Sequence, residues 1–467
     1  MELRCSPAPW RDCPPDWHET IVASFDLLVS GGRDAGGDRL DVAIADGVIA
    51  EVATELDPAA GAQRIDADGW LLLPGGVDPH VHFNEPGRTE WEGWATGTAA
   101  LAAGGLTACL EMPLNAYPPT TSAAAFDLKL AVARERARID FGLWGGVVPG
   151  NQAYLPELAA RGVIGFKAFM SASGTEDFPA SDAQTLHDAM TVIAALPQAR
   201  LLAVHAESDA LTARLAKAAR AAGTVAVRDY LDSRPIAAET EAIAEAIGLA
   251  EQTGCPLHIA HVSSGAGVAL VAAARARGLD VSCEVTTHHL LLTDEDAERL
   301  GAIAKCAPPL RPAPECDALW RALAGGAATF AVSDHSPCPP QMKSGDAFTA
   351  WGGIAGGQST LELVVSEAGR RIPATELVRA LCGGAAARFR LPGKGTLAVG
   401  GDGDLALVQT GAMRQLTRAE LRDRHGLSPY VGRTLAARVR ATVLRGRVIH
   451  RDGEPVGSAA GRPLTPA

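Results

Sequence analysis

From residue 74 to about residue 390 the chain alternates short apolar runs with Ala-rich stretches of helical character, and this alternation restricts its fold more than any other feature. Apolar run, helix, apolar run is the pattern of parallel strands joined by crossover helices. Eight such runs can be placed, at 71–83, 106–112, 141–147, 165–169, 201–205, 257–262, 281–288 and 330–333. Eight parallel strands close a TIM (β/α)8 barrel, which uses about 250 residues. Short strands flank the array, at 25–29, 40–44, 48–52, 64–66 and 70–73 before it and at 405–408 and 441–449 after it. Asp46-Gly47 reads as a hairpin turn, and the last strand turns at Arg445-Gly446. A β piece at each end predicts that the two ends pair into one small β-sandwich domain beside the barrel. The expected division is an N-terminal extension at 1–24, sandwich at 25–73, barrel at 74–392, and sandwich plus tail at 393–467.

Composition narrows the class of function. With 47% hydrophobic and 21% charged residues, disorder is excluded and a large core is available. A net charge of −12 argues against nucleic-acid and anionic-membrane partners. The uncharged stretch 93–110 approaches membrane length, but Gly93, Gly97, Gly104 and Gly105 interrupt it, so it reads as a buried helix followed by a strand. Nine scattered cysteines without a CxxC pair fit a reducing, cytoplasmic setting. No apolar segment suited to a signal peptide occurs in the first twenty residues.

The reactive side chains fall toward the C-terminal ends of the apolar runs, the face where barrels of this kind place their chemistry. His80 and His82 are two apart on one strand, so both rings point the same way and can reach one metal ion. An isolated HxH is weak, but His205 and His261 end two further runs. Asp334 ends another; it is either a turn former or an oxygen ligand and proton carrier. Lys167 lies between Phe166 and Phe169 within a central strand, where a lysine is costly to bury. It is either a snorkelling or salt-bridged side chain, or a neutral amine able to take up CO2 as a carbamate. The separations are whole βα units: three from His80 to Lys167, one to His205, one with an insertion around 227–235 to His261, and two to Asp334.

The ordered set HxH, Lys, His, His, Asp resembles the binuclear amidohydrolase superfamily, in its cyclic amidase branch. The longer segments His80 to Gly93, Glu111-Met112-Pro113-Leu114-Asn115, Ser233-Arg234-Pro235, Ser333 to Pro340, Trp351 to Gly356 and Ser428 to Arg433 are most similar to the allantoinases. The resemblance runs from about Phe25 to Val448. It implies one metal ion on His80, His82 and Asp334 and a second on His205 and His261. Carboxylated Lys167 and a hydroxide would bridge the two ions, usually zinc. It further implies hydrolysis of the hydantoin-ring amide of allantoin to allantoate, with Asp334 as proton shuttle. Asn115 and Ser336 are implied substrate contacts, and His288 a substrate-facing or supporting residue. The partner expected is a small molecule, with no nucleic acid or membrane, and the assembly a homotetramer.

Two local features bear on the substrate. Dihydroorotases usually carry Arg directly after HxHF, where it grips a carboxylate; Asn84 stands there instead, which suits allantoin. On strand 7 the run Glu284 to Thr293, with Thr287 and His289, is closer to dihydroorotases than to the Cys-Pro-His-Tyr run of allantoinases. Dihydroorotase and hydantoinase stand as alternatives, the first opposed by Asn84 and the second by the segments Glu85 to Arg88 and Trp351 to Gly356. A non-catalytic scaffold homologue would be expected to lose ligands, and all six positions are filled. Gly393-Lys394-Gly395 lacks the spacing of a phosphate loop and reads as a turn into the β domain.

Overall fold

Tight turns organise the N-terminal part of the chain. In the computed structural model, which describes residues 24–467, the first five strands are β1 (Phe25–Arg33), β2 (Arg39–Ala45), β3 (Val48–Ala53), β4 (Gly61–Asp66) and β5 (Leu71–Pro74). β2 and β3 pair antiparallel across Asp46 and Gly47, at φ 51° and 82°. Two left-handed residues give the turn whose twist matches that of the strands it joins. The extension expected at 1–24 lies, but for its last residue, outside the described residues.

The barrel strands follow: β6 (Gly76–Val81), β7 (Leu106–Glu111), β8 (Asp140–Leu143), β9 (Gly145–Gly146), β10 (Phe166–Phe169), β11 (Leu202–His205), β12 (Leu257–Ile259), β13 (Val281–Thr286) and β14 (Phe330–Val332). All their ladders are parallel, in the order β6-β7-β8 and β9-β10-β11-β12-β13-β14. β8 and β9 are two parts of one expected strand, separated at Trp144, whose backbone N–H donates to Glu111 O and whose indole donates to Pro79 O. The ring closes where Val81 bridges His335 and His82 N donates to His335 O at 2.8 Å. Crossover helices including Trp94–Ala103, Ala183–Ala194, Ile236–Thr253 and Gly265–Ala276 pack outside. The apolar core between strands and helices contains Leu101, Phe141, Ile243 and Val268. A second cluster, with Val77, Leu110, Trp144, Phe330 and Phe389, fills the barrel toward its N-terminal end.

Two strand expectations are corrected. The run at 71–83 is two strands: β5 stays in the outer sheet and β6 enters the barrel. Between them Gly75 lies so close to β7 that a Cβ there would meet Thr107 Oγ1 at 2.0 Å. The run at 281–288 stops as a strand at Thr286, whose hydroxyl accepts from His289 N and caps the short helix Thr287–Leu291. His288 is therefore on that helix and not on the strand.

The C-terminal strands are β15 (Leu405–Gln415), β16 (Thr434–Leu444), β17 (Arg447–Arg451) and β18 (Glu454–Pro455). β15 pairs antiparallel with β5, joining both chain ends in one nine-stranded sheet. That sheet encloses its own core of Leu27, Val42, Ile44, Leu72, Leu407 and Val443. The chain is thus a TIM barrel with a β-sandwich built from both ends. The tail then returns to the N-terminal end of the barrel, where Phe141 N donates to Arg462 O and Leu464 N to Phe141 O.

Candidate metal centre

Five of the barrel strands deliver a polar side chain to one place at the mouth. His80 sits within β6 and His82 just beyond it, and Nε2 of each lies 3.5 Å from Asp334 Oδ1. Ligand atoms of these three residues lie within 4.8 Å of one another. His205 ends β11 and His261 follows β12; His205 Nδ1 is 3.1 Å from His261 Nε2. The two groups adjoin, with the His80 and His261 ring centroids 5.3 Å apart. Asp334 and His261 hold φ of 45° and 36°. Left-handed conformations at such residues cost roughly 1–3 kcal/mol each and persist where surrounding structure enforces them.

Hydrogen bonds orient three of the four rings, those of His80, His82 and His205. His82 Nδ1 is tied to Leu114 O at 2.7 Å, and His80 Nδ1 to Glu284. Both Nε2 atoms then face Asp334 Oδ1. His205 is held the other way round, with Nε2 2.8 Å from Glu207 Oε2 and Nδ1 facing His261. Glu207 is gripped by Arg234 through Nε and Nη2, at 3.0 and 2.5 Å. Glu284 accepts in addition from His258 Nε2 at 3.0 Å and from His261 N at 3.2 Å. Orienting partners of this kind are typical of imidazoles presented to a metal. Burial opposes ionisation of Glu284, but His80 and His258 prevail and hold its carboxyl well below the usual range.

Lys167 lies in β10, fully buried, and Nζ has no hydrogen-bond partner. Burial lowers its pKa to about 8, although Glu284 and Asp334 pull it upward. An amine held this way is costly unless something completes it. The set of imidazole nitrogens, one carboxylate and an orphaned amine fits divalent ions: it offers nitrogen and oxygen donors, and no group within it is bonded to Lys167 Nζ.

A cavity of about 340 Å³ opens over these residues and is lined by His80, His82, His205, His261 and Asp334, with Asn115 and Ser336 on its wall. Asn115 Nδ2 donates to Asn84 Oδ1 at 3.3 Å; Asn84 itself is fully buried behind it. His288 is not brought to the cavity wall. It is buried beside His289 and Cys306, and neither of its ring nitrogens has a partner. His289 is a packing residue, bonded to Thr286 Oγ1 and Pro308 O. Sequence reasoning did not single out Glu207 and Glu284. Glu284 carries a signal, as a carboxylate inside an otherwise uncharged buried strand, in the way Lys167 does. The cavity also takes Tyr230 from the short helix Val227–Asp232, and Arg234, Lys305 and Trp351 from loops.

A model of the amidohydrolase family matches residues 71–449. The chain belongs to that family. It is 54% identical to an allantoinase from Rubrobacter xylanophilus, over 95% of this chain and 98% of that protein. An allantoinase from Solibacter usitatus is 50% identical, over 94% and 97% of the two chains. Among solved structures, the L-hydantoinase (dihydropyrimidinase) of Arthrobacter aurescens superposes with a TM-score of 0.91 at 32% identity, covering 94% of this chain and all of that one. This amidohydrolase has no helix, among the described residues, long and apolar enough to cross a membrane.

Proposed function

We propose that this amidohydrolase opens the hydantoin ring of allantoin at its amide bond, giving allantoate. The observation that carries the reading is the orphaned amine of Lys167 among imidazole and carboxylate donors at one barrel mouth. A full-length similarity to allantoinases supports the choice of substrate. His80, His82 and Asp334 would hold one divalent ion, and His205 and His261 the other. Zinc is the favoured metal, and N6-carboxylated Lys167 would lie between the two. When bound, such ions acidify a water and polarise the scissile carbonyl.

The chain's own residues do the rest. Lys167, as a neutral amine, adds CO2; its nitrogen forms the new N–C bond, one proton leaves, and the product is an anionic oxygen donor. Burial disfavours ionised Asp334, but His80 and His82 prevail and hold its carboxyl well below the usual carboxylate range. It is therefore ionised and able to accept the attacking water's proton, then return it to the ring nitrogen as the C–N bond breaks. Asn115 and Ser336 stand on the wall where ring carbonyls and N–H groups need partners, and His288 supports the wall from behind. Allantoin has no carboxylate, and the neutral Asn84–Asn115 pair suits it where a guanidinium would serve an acid. The enzyme works as a cytoplasmic homotetramer on this reading, and the chain divides at 25–73, 74–392 and 393–467.

The test is kcat/KM of the zinc- and bicarbonate-loaded enzyme on allantoin, dihydroorotate and hydantoin. Allantoin is expected to lead by at least about tenfold, roughly 1.4 kcal/mol of transition-state preference. A lead for either of the others overturns the substrate assignment.

A further inference from the structure

His205 ends β11 and His261 follows β12, yet His205 Nδ1 and His261 Nε2 are 3.1 Å apart, so something must fix the two segments relative to each other. Arg311 touches neither ring and is bonded to both supports. Its Nε donates to Ser263 Oγ at 3.0 Å, two residues beyond His261. Its Nη1 donates to the backbone oxygen of Arg234 at 2.5 Å, and Arg234 holds Glu207, which in turn holds His205. Ser263 is fixed from the other side by Glu239, whose Oε1 accepts from Ser263 N at 2.7 Å and from Ser263 Oγ at 2.8 Å. Arg311, Ser263 and Glu239 are all buried. The planar guanidinium presents these two donors from separate nitrogens in a rigid fork, whereas a lysine ammonium donates from one rotatable atom on a flexible stem.

We infer that Arg311 is a positioning residue for the His205–His261 half of the metal centre, acting as a clamp between the Ser263 loop and the Arg234–Glu207 support. The inference rests on the two-metal reading above. It predicts a selective effect. Loss of the clamp loosens the site made by His205 and His261, while the His80–His82–Asp334 site, supported by Leu114 and Glu284, is left as it was.

The experiment is a calorimetric titration of the full-length metal-free enzyme with zinc in bicarbonate. The second equivalent is defined as the one that His205→Asn abolishes. Arg311→Lys is expected to weaken that equivalent about 10–100-fold, the usual effect of removing a ligand's support, with the other unchanged. Ser263→Ala deletes one of the two Arg311 bonds, together with the Ser263 Oγ–Glu239 bond, without removing a cation, and should weaken the same equivalent by less. It also decides the matter if Arg311→Lys does not fold. Arg388→Met, which removes a guanidinium bonded to Asp280 and Leu257 O away from the site, should change neither. Equal weakening of both equivalents would mean a general structural role and overturn the inference, as would no change in both Arg311→Lys and Ser263→Ala. Failure of the unaltered enzyme to take up two equivalents would instead overturn the two-metal reading on which it rests.

Discussion

Two buried lysines, at opposite ends of the same barrel, have opposite surroundings. At the mouth, Lys167 has no partner, and burial lowers its pKa to about 8. At the N-terminal end, Lys394 Nζ lies 2.6, 2.7 and 2.8 Å from carboxylates of Asp140, Asp402 and Asp404. Burial disfavours its charge too, but Asp404 and Asp140 more than compensate and push its pKa above the ordinary lysine value. The three aspartates would look like a cation site if Lys394 did not already fill it. Arg445 bonds Asp140 as well, and Arg462 N donates to it at 2.7 Å, so barrel, sandwich and tail are joined through one satisfied cluster. The contrast teaches how to tell a structural charge from a functional one. A buried ion with every partner present holds elements together; a buried donor or acceptor set with none marks where a ligand completes the structure.

Each end can be broken separately. Asp334→Asn should lower kcat/KM on allantoin by about 10²–10⁴-fold, the usual contribution of a placed acid–base group, and leave the thermal midpoint nearly unchanged. A midpoint collapse would make Asp334 a structural residue. Lys394→Met should do the reverse: it removes the one cation shared by three buried or half-buried carboxylates and should cost about 3–5 kcal/mol of stability by denaturant titration. Activity per folded molecule should persist, and a specific loss of turnover would erase the distinction between the two ends.

The remaining predictions sharpen the contrast at the mouth. Since burial places the Lys167 amine at about pH 8, its neutral fraction rises with pH up to that point and levels above it. Reconstitution of the metal-free enzyme at fixed dissolved CO2 should therefore speed up about tenfold per pH unit below 8 and flatten beyond it. A rate still climbing toward pH 10 would mean that burial does not tune this amine. The smallest effect is expected for Ser336→Ala: loss of about 1 kcal/mol, or about fivefold in kcat/KM, if one hydrogen bond to substrate is removed. An unchanged value would take Ser336 out of substrate contact.

Much of this was legible in the sequence because it is local. The strand-end positions of His80, His82, His205, His261 and Asp334 follow from apolar runs of the right length and spacing, and the structure gathers all five with Lys167. The pairing of the two chain ends into one sandwich follows from short strands on either side of the βα array. What was not legible depends on contacts between distant segments. The division of the run at 71–83 is set by the approach of Gly75 to Thr107 on the next strand. The displacement of His288 onto a helix depends on a cap by Thr286, a residue that reads equally well as strand. Glu207, Arg234 and Arg311 act through one another across separate loops, so no single window of sequence contains their pattern.

The central claim is that the unpartnered amine of Lys167 is completed by CO2 and divalent ions. It is tested most directly by ¹³C NMR of the zinc-loaded enzyme prepared in ¹³C-bicarbonate, with metal content measured on the same sample. The account predicts one carbamate signal per chain together with two zinc ions, both lost in Lys167→Ala. Two zinc ions without a carbamate signal, or an unchanged metal content in Lys167→Ala, would contradict it.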